Sequence, residues 1–229
     1  MTGDTKACFQ IENKPGEAYF FNGTQYIRIG GITPGTTDDH IITGPKTIMD
    51  YWPSLKKCEF KCVDAMFPLP GCEGYFFSGE QYALIAKIIP GTTDDCVKTG
   101  PKNTCDYWPS LKKCGFKTVD TIMPINATEA YFFCGEKYAH IGNIHPGTTD
   151  DSVMNGPKNI CDYWPSLKKC GFNTIDAVLP ISKEEAYFFK GKQYVRIGKI
   201  VPGGSDDYII TGPKDVAGYW PSLKKAGFY

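Results

Sequence analysis

Tyr51-Trp52-Pro53-Ser54-Leu55-Lys56-Lys57 returns unchanged at residues 107–113, 163–169 and 219–225, each time 56 residues further on. Other landmarks keep the same step. Tyr19, Tyr75, Tyr131 and Tyr187 open a YFF triplet, Pro34, Pro90, Pro146 and Pro202 lead a PG pair, and Gly44, Gly100, Gly156 and Gly212 lead GPK. Four such periods take up 224 of the 229 residues, which leaves no room for a second domain. A long fixed period signals a solenoid, propeller or array, because one small unit buries its apolar face only against a neighbour. The repeats fall at approximately 5–60, 61–116, 117–172 and 173–229 of a single domain spanning residues 1–229.

Within one repeat, EAYFF, a turn at Asn22-Gly23 and QYIRIG join aromatic and β-branched residues around a hairpin signal. Ser78-Gly79, Cys134-Gly135 and Lys190-Gly191 repeat that turn. The apolar stretches 63–67, 119–123 and 175–179 read as a further strand before the hairpin. After it, PGTTDD is a loop, and the GPK segment starts a short helix that stops or kinks at Pro53, Pro109, Pro165 and Pro221. Three or four strands and one short helix per repeat make a blade. The expected fold is all-β: a four-bladed propeller around a central tunnel, whose closure removes long exposed edges.

Composition excludes several function classes. Twenty-five Lys plus Arg balance 25 Asp plus Glu, so no global field gathers nucleic acid or anionic lipid. No apolar run is long enough to span a membrane, and the opening MTGDTKACFQ lacks the basic and apolar regions of a signal peptide. A soluble, cytosolic protein is expected.

VDA at 63–65, IDA at 175–177, EAYFF at 17–21 and 185–189, and the YWPSL segments together resemble hemopexin repeats. The resemblance spans all four repeats, and the chain is most similar to plant seed albumins of the albumin-2 type. It implies an axial tunnel that binds calcium, sodium and chloride through backbone groups. By position, the calcium ligands would be the main-chain carbonyls of Asp64, Asp120 and Asp176, with Cys8 reached by counting back 56 from Asp64. A hard cation accepts carbonyl oxygens, so Cys8 serves as well as Asp in that role. A second ring would come from the backbone at Glu17, Glu73, Glu129 and Glu185, where outward amides favour an anion. The plainer reading makes the acidic residues turn and strand caps. The resemblance also implies a small ligand, hemin or a polyamine such as spermine, and a homodimer coupled to it. A seed storage or defence protein that binds carbohydrate like a lectin is the alternative.

Three departures from the hemopexin pattern stand out. Thr121 and Gly74 replace expected alanines, and no cysteine near the C-terminus could close the ring with Cys8, so closure would rest on strand pairing between the terminal segments. Cys105 with Cys114 and Cys161 with Cys170 occur together and are replaced together by Ala217 and Ala226, which suggests contact within a blade. In a reducing compartment all ten cysteines would remain small hydrophobes. Cys58 and Cys62 are the sole close pair, too few for zinc.

Enzyme activity is not expected. The pairs Asp38-Asp39, Asp94-Asp95, Asp150-Asp151 and Asp206-Asp207 resemble catalytic dyads, but adjacent side chains point apart and a fourfold site is architecture. His140 and His145 break the repeat symmetry and are the candidates for a haem iron ligand, against the plainer reading of surface histidines.

Overall fold

Each YFF triplet places two phenylalanines side by side on a strand, where successive side chains leave on opposite faces. Both must then be covered, and a strand with two covered faces needs a neighbour on each side. The computed structural model describes residues 6–229 and shows that arrangement. Thr5, where the first repeat was expected to begin, lies outside the described residues. Phe20 packs against blade 4 and Phe21 against blade 2, and the same split holds for Phe76 and Phe77, Phe132 and Phe133, and Phe188 and Phe189. All eight are 2 % exposed or less. Burying one such side chain stabilises the fold by about 1.5–3 kcal/mol.

Blade 1 consists of β1 (Lys6–Gln10), β2 (Ala18–Asn22), β3 (Gln25–Gly30) and β4 (His40–Thr47), followed by α1 (Ile48–Tyr51) and α2 (Pro53–Lys57). Blade 2 has β5 (Ala65–Leu69), β6 (Glu73–Ser78), β7 (Gln81–Ala86), β8 (Cys96–Asn103), α3 (Thr104–Tyr107) and α4 (Pro109–Cys114). Blade 3 has β9 (Thr121–Asn126), β10 (Glu129–Cys134), β11 (Lys137–Gly142), β12 (Ser152–Asn159), α5 (Ile160–Tyr163) and α6 (Pro165–Cys170). Blade 4 closes the chain with β13 (Ala177–Ser182), β14 (Glu185–Lys190), β15 (Gln193–Gly198), β16 (Tyr208–Asp215), α7 (Val216–Tyr219) and α8 (Pro221–Lys225). Every sheet is an antiparallel meander of four consecutive strands.

Two of the expectations need correction. The GPK segment is strand, not helix start. It lies in the outermost strand, where a proline without N–H breaks no ladder. Two short helices therefore stand where one was expected, separated at Trp52 and its counterparts, with the proline opening the second. The ring is also not closed by strand pairing, since among the described residues no strand of one blade pairs with another blade.

Side chains close it instead. The C-terminal Phe228 and Tyr229 pack into one apolar cluster with Cys8, Ala18 and Phe20 of blade 1. Val63, Val119 and Ile175 fill the other three interfaces. The Lys6 ammonium sits 3.8 Å from the Tyr229 ring centroid and also donates to the Gly191 carbonyl of blade 4. Asn22 Nδ2 donates to the Phe228 carbonyl at 3.3 Å.

Candidate ion tunnel

β1, β5, β9 and β13 are the edge strands of their sheets, and each packs against two of the others, so the four surround an axis. The edge that faces the axis has no strand to pair with, so a passage along that axis would be lined mostly by main-chain N–H and C=O groups. One such amide is already used. Val178 N–H donates to Thr121 Oγ1 at 3.2 Å in the buried interior, which explains the threonine where alanine was expected.

Asp64, Asp120 and Asp176 stand immediately before their inner strands. Each carboxylate accepts the N–H of the hairpin glycine, Gly79, Gly135 and Gly191 respectively, at 2.6 Å. The caps expected on plain grounds are therefore real, and they bear on the ion reading too. Burial pushes the Asp64 and Asp120 carboxyls up, the glycine N–H offsets part of that, and a neighbouring carboxylate adds to it: Asp120 beside Asp64, and Asp176 beside Asp120. Like charges thus gather at one end of the tunnel.

Cys8 does not belong to this set. Ala65 pairs with Phe77, twelve positions on, whereas Ala7 pairs with Phe21, fourteen positions on. The connection between the first two strands is two residues longer in blade 1, so the counterpart of Asp64 is Lys6, paired with Asn22. Cys8 is a buried thiol facing blade 4, and burial pushes its pKa far up. The tunnel end has three acidic corners and one basic corner.

In the second expected ring each glutamate side chain has a basic or imidazole partner. Glu17 meets Arg28 at 2.6 Å, Glu73 meets Lys98 at 2.8 Å, Glu129 meets His140 at 3.3 Å, and Glu185 meets Arg196. His140 therefore stands in for arginine as the partner of its blade's glutamate. It is 8 % exposed and packs on the Tyr131 ring. His145 is exposed and paired with Asp150 at 3.0 Å, beside a cleft of only about 10 Å³. The cleft beside His145 is far too small to admit a porphyrin, and His140 is not among its lining residues.

Sequence reasoning missed the role of the aspartate pairs. The first member is exposed, while Asp39, Asp95 and Asp151 are buried. Asp95 accepts the Ser54 N–H at 2.9 Å and its hydroxyl, at the start of the proline-led helix of the preceding blade. Asp151 does the same for Ser110, Asp207 accepts the Ser166 N–H, and Asp39 binds Ser222. The repeat's constant spacing was the signal that could have revealed these links. All ten cysteines are free thiols, and Cys105 Sγ donates to the Phe116 carbonyl rather than joining Cys114.

Among the described residues no three His, Cys, Asp or Glu side chains are placed to hold a metal. A cation on the axis would thus depend on main-chain carbonyls, an all-oxygen set that suits calcium or sodium and not zinc.

No family model matches the sequence. The chain is 30% identical to albumin-2 of Pisum sativum, over 97% of this chain and 96% of that protein. It is similar in structure to a hemopexin fold protein from cow pea, with 32% identity, a TM-score of 0.85 and 98% of each chain covered. A plant lectin with two metal binding sites from Cicer arietinum is also similar, with 30% identity, a TM-score of 0.83 and 96% of each chain covered.

Proposed function

Because the chain belongs to the albumin-2 family of hemopexin-fold legume seed albumins, we propose that it is a non-catalytic seed protein whose tunnel takes a hard cation, calcium first, on main-chain carbonyls. The carrying observation is the set of three carboxylates at Asp64, Asp120 and Asp176, each held at the start of its inner strand by the N–H of its hairpin glycine. Their negative charge at one tunnel end attracts a cation, while the four inner strands supply the oxygens. The metal sites of the Cicer arietinum lectin add support. A bound ion would tie the blades and raise stability by mass action. Polyamines such as spermine would compete for the same carboxylates.

Calorimetric titration of metal-stripped protein with calcium tests this. One site per chain and a higher melting temperature are expected, and a protein that neither binds calcium nor sodium nor gains stability from them would overturn the reading.

A second reading, lectin-like binding, is favoured by one feature. Clefts of about 200, 150 and 120 Å³ recur between blades, lined in the first case by Tyr26, Tyr51, Lys46, Thr43 and the loop hydroxyls of Thr92 and Thr93. Aromatic walls with hydroxyls and a lysine suit a single sugar ring. Agglutination of erythrocytes by the protein, inhibited by a simple sugar, is its test. Failure of Tyr51→Ala to weaken that inhibition would remove the cleft from the account.

A further inference from the structure

The longer blade 1 connection has a consequence at the other end of the tunnel. Its turn is closed by Lys14 N–H to the Ile11 carbonyl at 3.1 Å and Glu17 N–H to the Lys14 carbonyl at 3.0 Å. Glu12 then reaches to the turn of blade 2, where its carboxylate accepts the N–H of Gly71 at 3.2 Å and of Cys72 at 2.6 Å. Between these pinned turns and the ends of β1, β5 and β9 lies a cavity of about 510 Å³. That is within the roughly 300–1,000 Å³ of small-molecule sites. Its walls include Phe9, Ile11, Met66, Leu69 and Pro124, and blade 4 contributes none of them. The cavity is thus a product of this chain's departure from symmetry, not of the repeat.

The charged groups at the rim differ in what they have left to bond. Both Glu12 oxygens hold backbone N–H groups, and both Glu73 oxygens hold Lys98 Nζ at 2.8 and 2.9 Å. The Lys14 ammonium is exposed and makes no hydrogen bond or ion pair among the described residues. Its three donors are the unspent polar capacity of the rim. An apolar chamber with a free ammonium at its mouth complements an apolar body ending in an anion.

We propose that this cavity binds a small amphipathic carboxylate of the medium-chain fatty acid class, with its tail against Phe9, Met66 and Leu69 and its carboxylate on Lys14. The site is independent of the ion reading, since it lies at the opposite end of the inner strands from Asp64, Asp120 and Asp176.

The test uses the full chain and the fluorescent probe 8-anilinonaphthalene-1-sulfonate, displaced in turn by dodecanoate, dodecanol and dodecylamine. Saturable one-site probe binding is expected, with dodecanoate displacing it about fivefold more effectively than the amine. Lys14→Glu should reverse that order. Ala127→Trp, on the exposed part of the wall, should block the probe while leaving the thermal melt unchanged. Absence of probe binding, an amine as effective as the acid, or two variants without effect would each overturn the proposal.

Discussion

The Asp39 carboxylate of blade 1 accepts the backbone N–H of Ser222 at 2.9 Å, and its hydroxyl too, joining residues 183 positions apart. At the other three junctions the same bond links blades already tethered by continuous chain. Here it spans the gap between the two ends.

Asp39→Ala leaves a helix N-terminal amide and a buried hydroxyl without their acceptor, and should cost about 1–3 kcal/mol. Asp95→Ala removes the equivalent bond at a tethered junction. Urea denaturation should show the larger loss for Asp39→Ala, and equal losses would mean that the closing junction is no weaker than the others.

Tyr229 is packed into the closing junction, and its buried hydroxyl has no hydrogen-bond partner in the described structure. Tyr229→Phe removes an unsatisfied polar atom while keeping the ring under the Lys6 ammonium. A gain of about 1 kcal/mol is expected from thermal melts, whereas Tyr229→Ala should destabilise by opening a cavity. A loss of stability in the phenylalanine variant would show that the hydroxyl is bonded.

Burial raises the Asp64 and Asp120 carboxyls above their ordinary value of 3.8. The folded state therefore keeps these protons when the unfolded chain has begun to lose them. Their contribution to stability is greatest under acid conditions and is lost as pH rises from 3.8 through the raised folded value. In metal-free protein, Asp64→Asn should flatten that fall while keeping an acceptor for the Gly79 N–H. Melting temperatures of both proteins from pH 3 to 7 check the sign, and a variant that loses stability relative to wild type as pH rises would contradict it.

Gly100 has φ of +105°, and a Cβ there would meet the Tyr82 carbonyl oxygen at 2.8 Å and Ala83 Cα at 2.9 Å. Gly79, with φ of +56°, has nothing within 4 Å. Gly100→Ala should thus cost more than 2 kcal/mol by order of magnitude, and Gly79→Ala about 1 kcal/mol. Denaturant midpoints separate the two.

The propeller was legible because identical segments at a fixed step report architecture whatever their local conformation. The hairpins were legible because Asn22-Gly23 and its counterparts sit between aromatic runs. The register of blade 1 was not, because a fixed step assumes equal loops. Ala7 and Phe9 match Ala65 and Phe67 at an offset of 58, and that pairing points to Lys6. Nor does an Asp-Asp pair reveal that its second member is turned inward, since the serine it caps lies in another blade. The cavity beside Glu12 was equally hidden. It arises from the same two extra residues, and their effect is visible only once three strands are brought together in space.

Each blade is written in one unbroken stretch of chain, and its sheet borrows no strand from elsewhere. With Lys6 resting on Tyr229, blades 1 and 4 meet through side chains at a seam that lacks the continuous chain of the other three. Moving the chain break to the junction after Phe60, Phe116 or Phe172 while linking blade 4 to blade 1 is therefore expected to keep every sheet intact, because none depends on a strand from another blade.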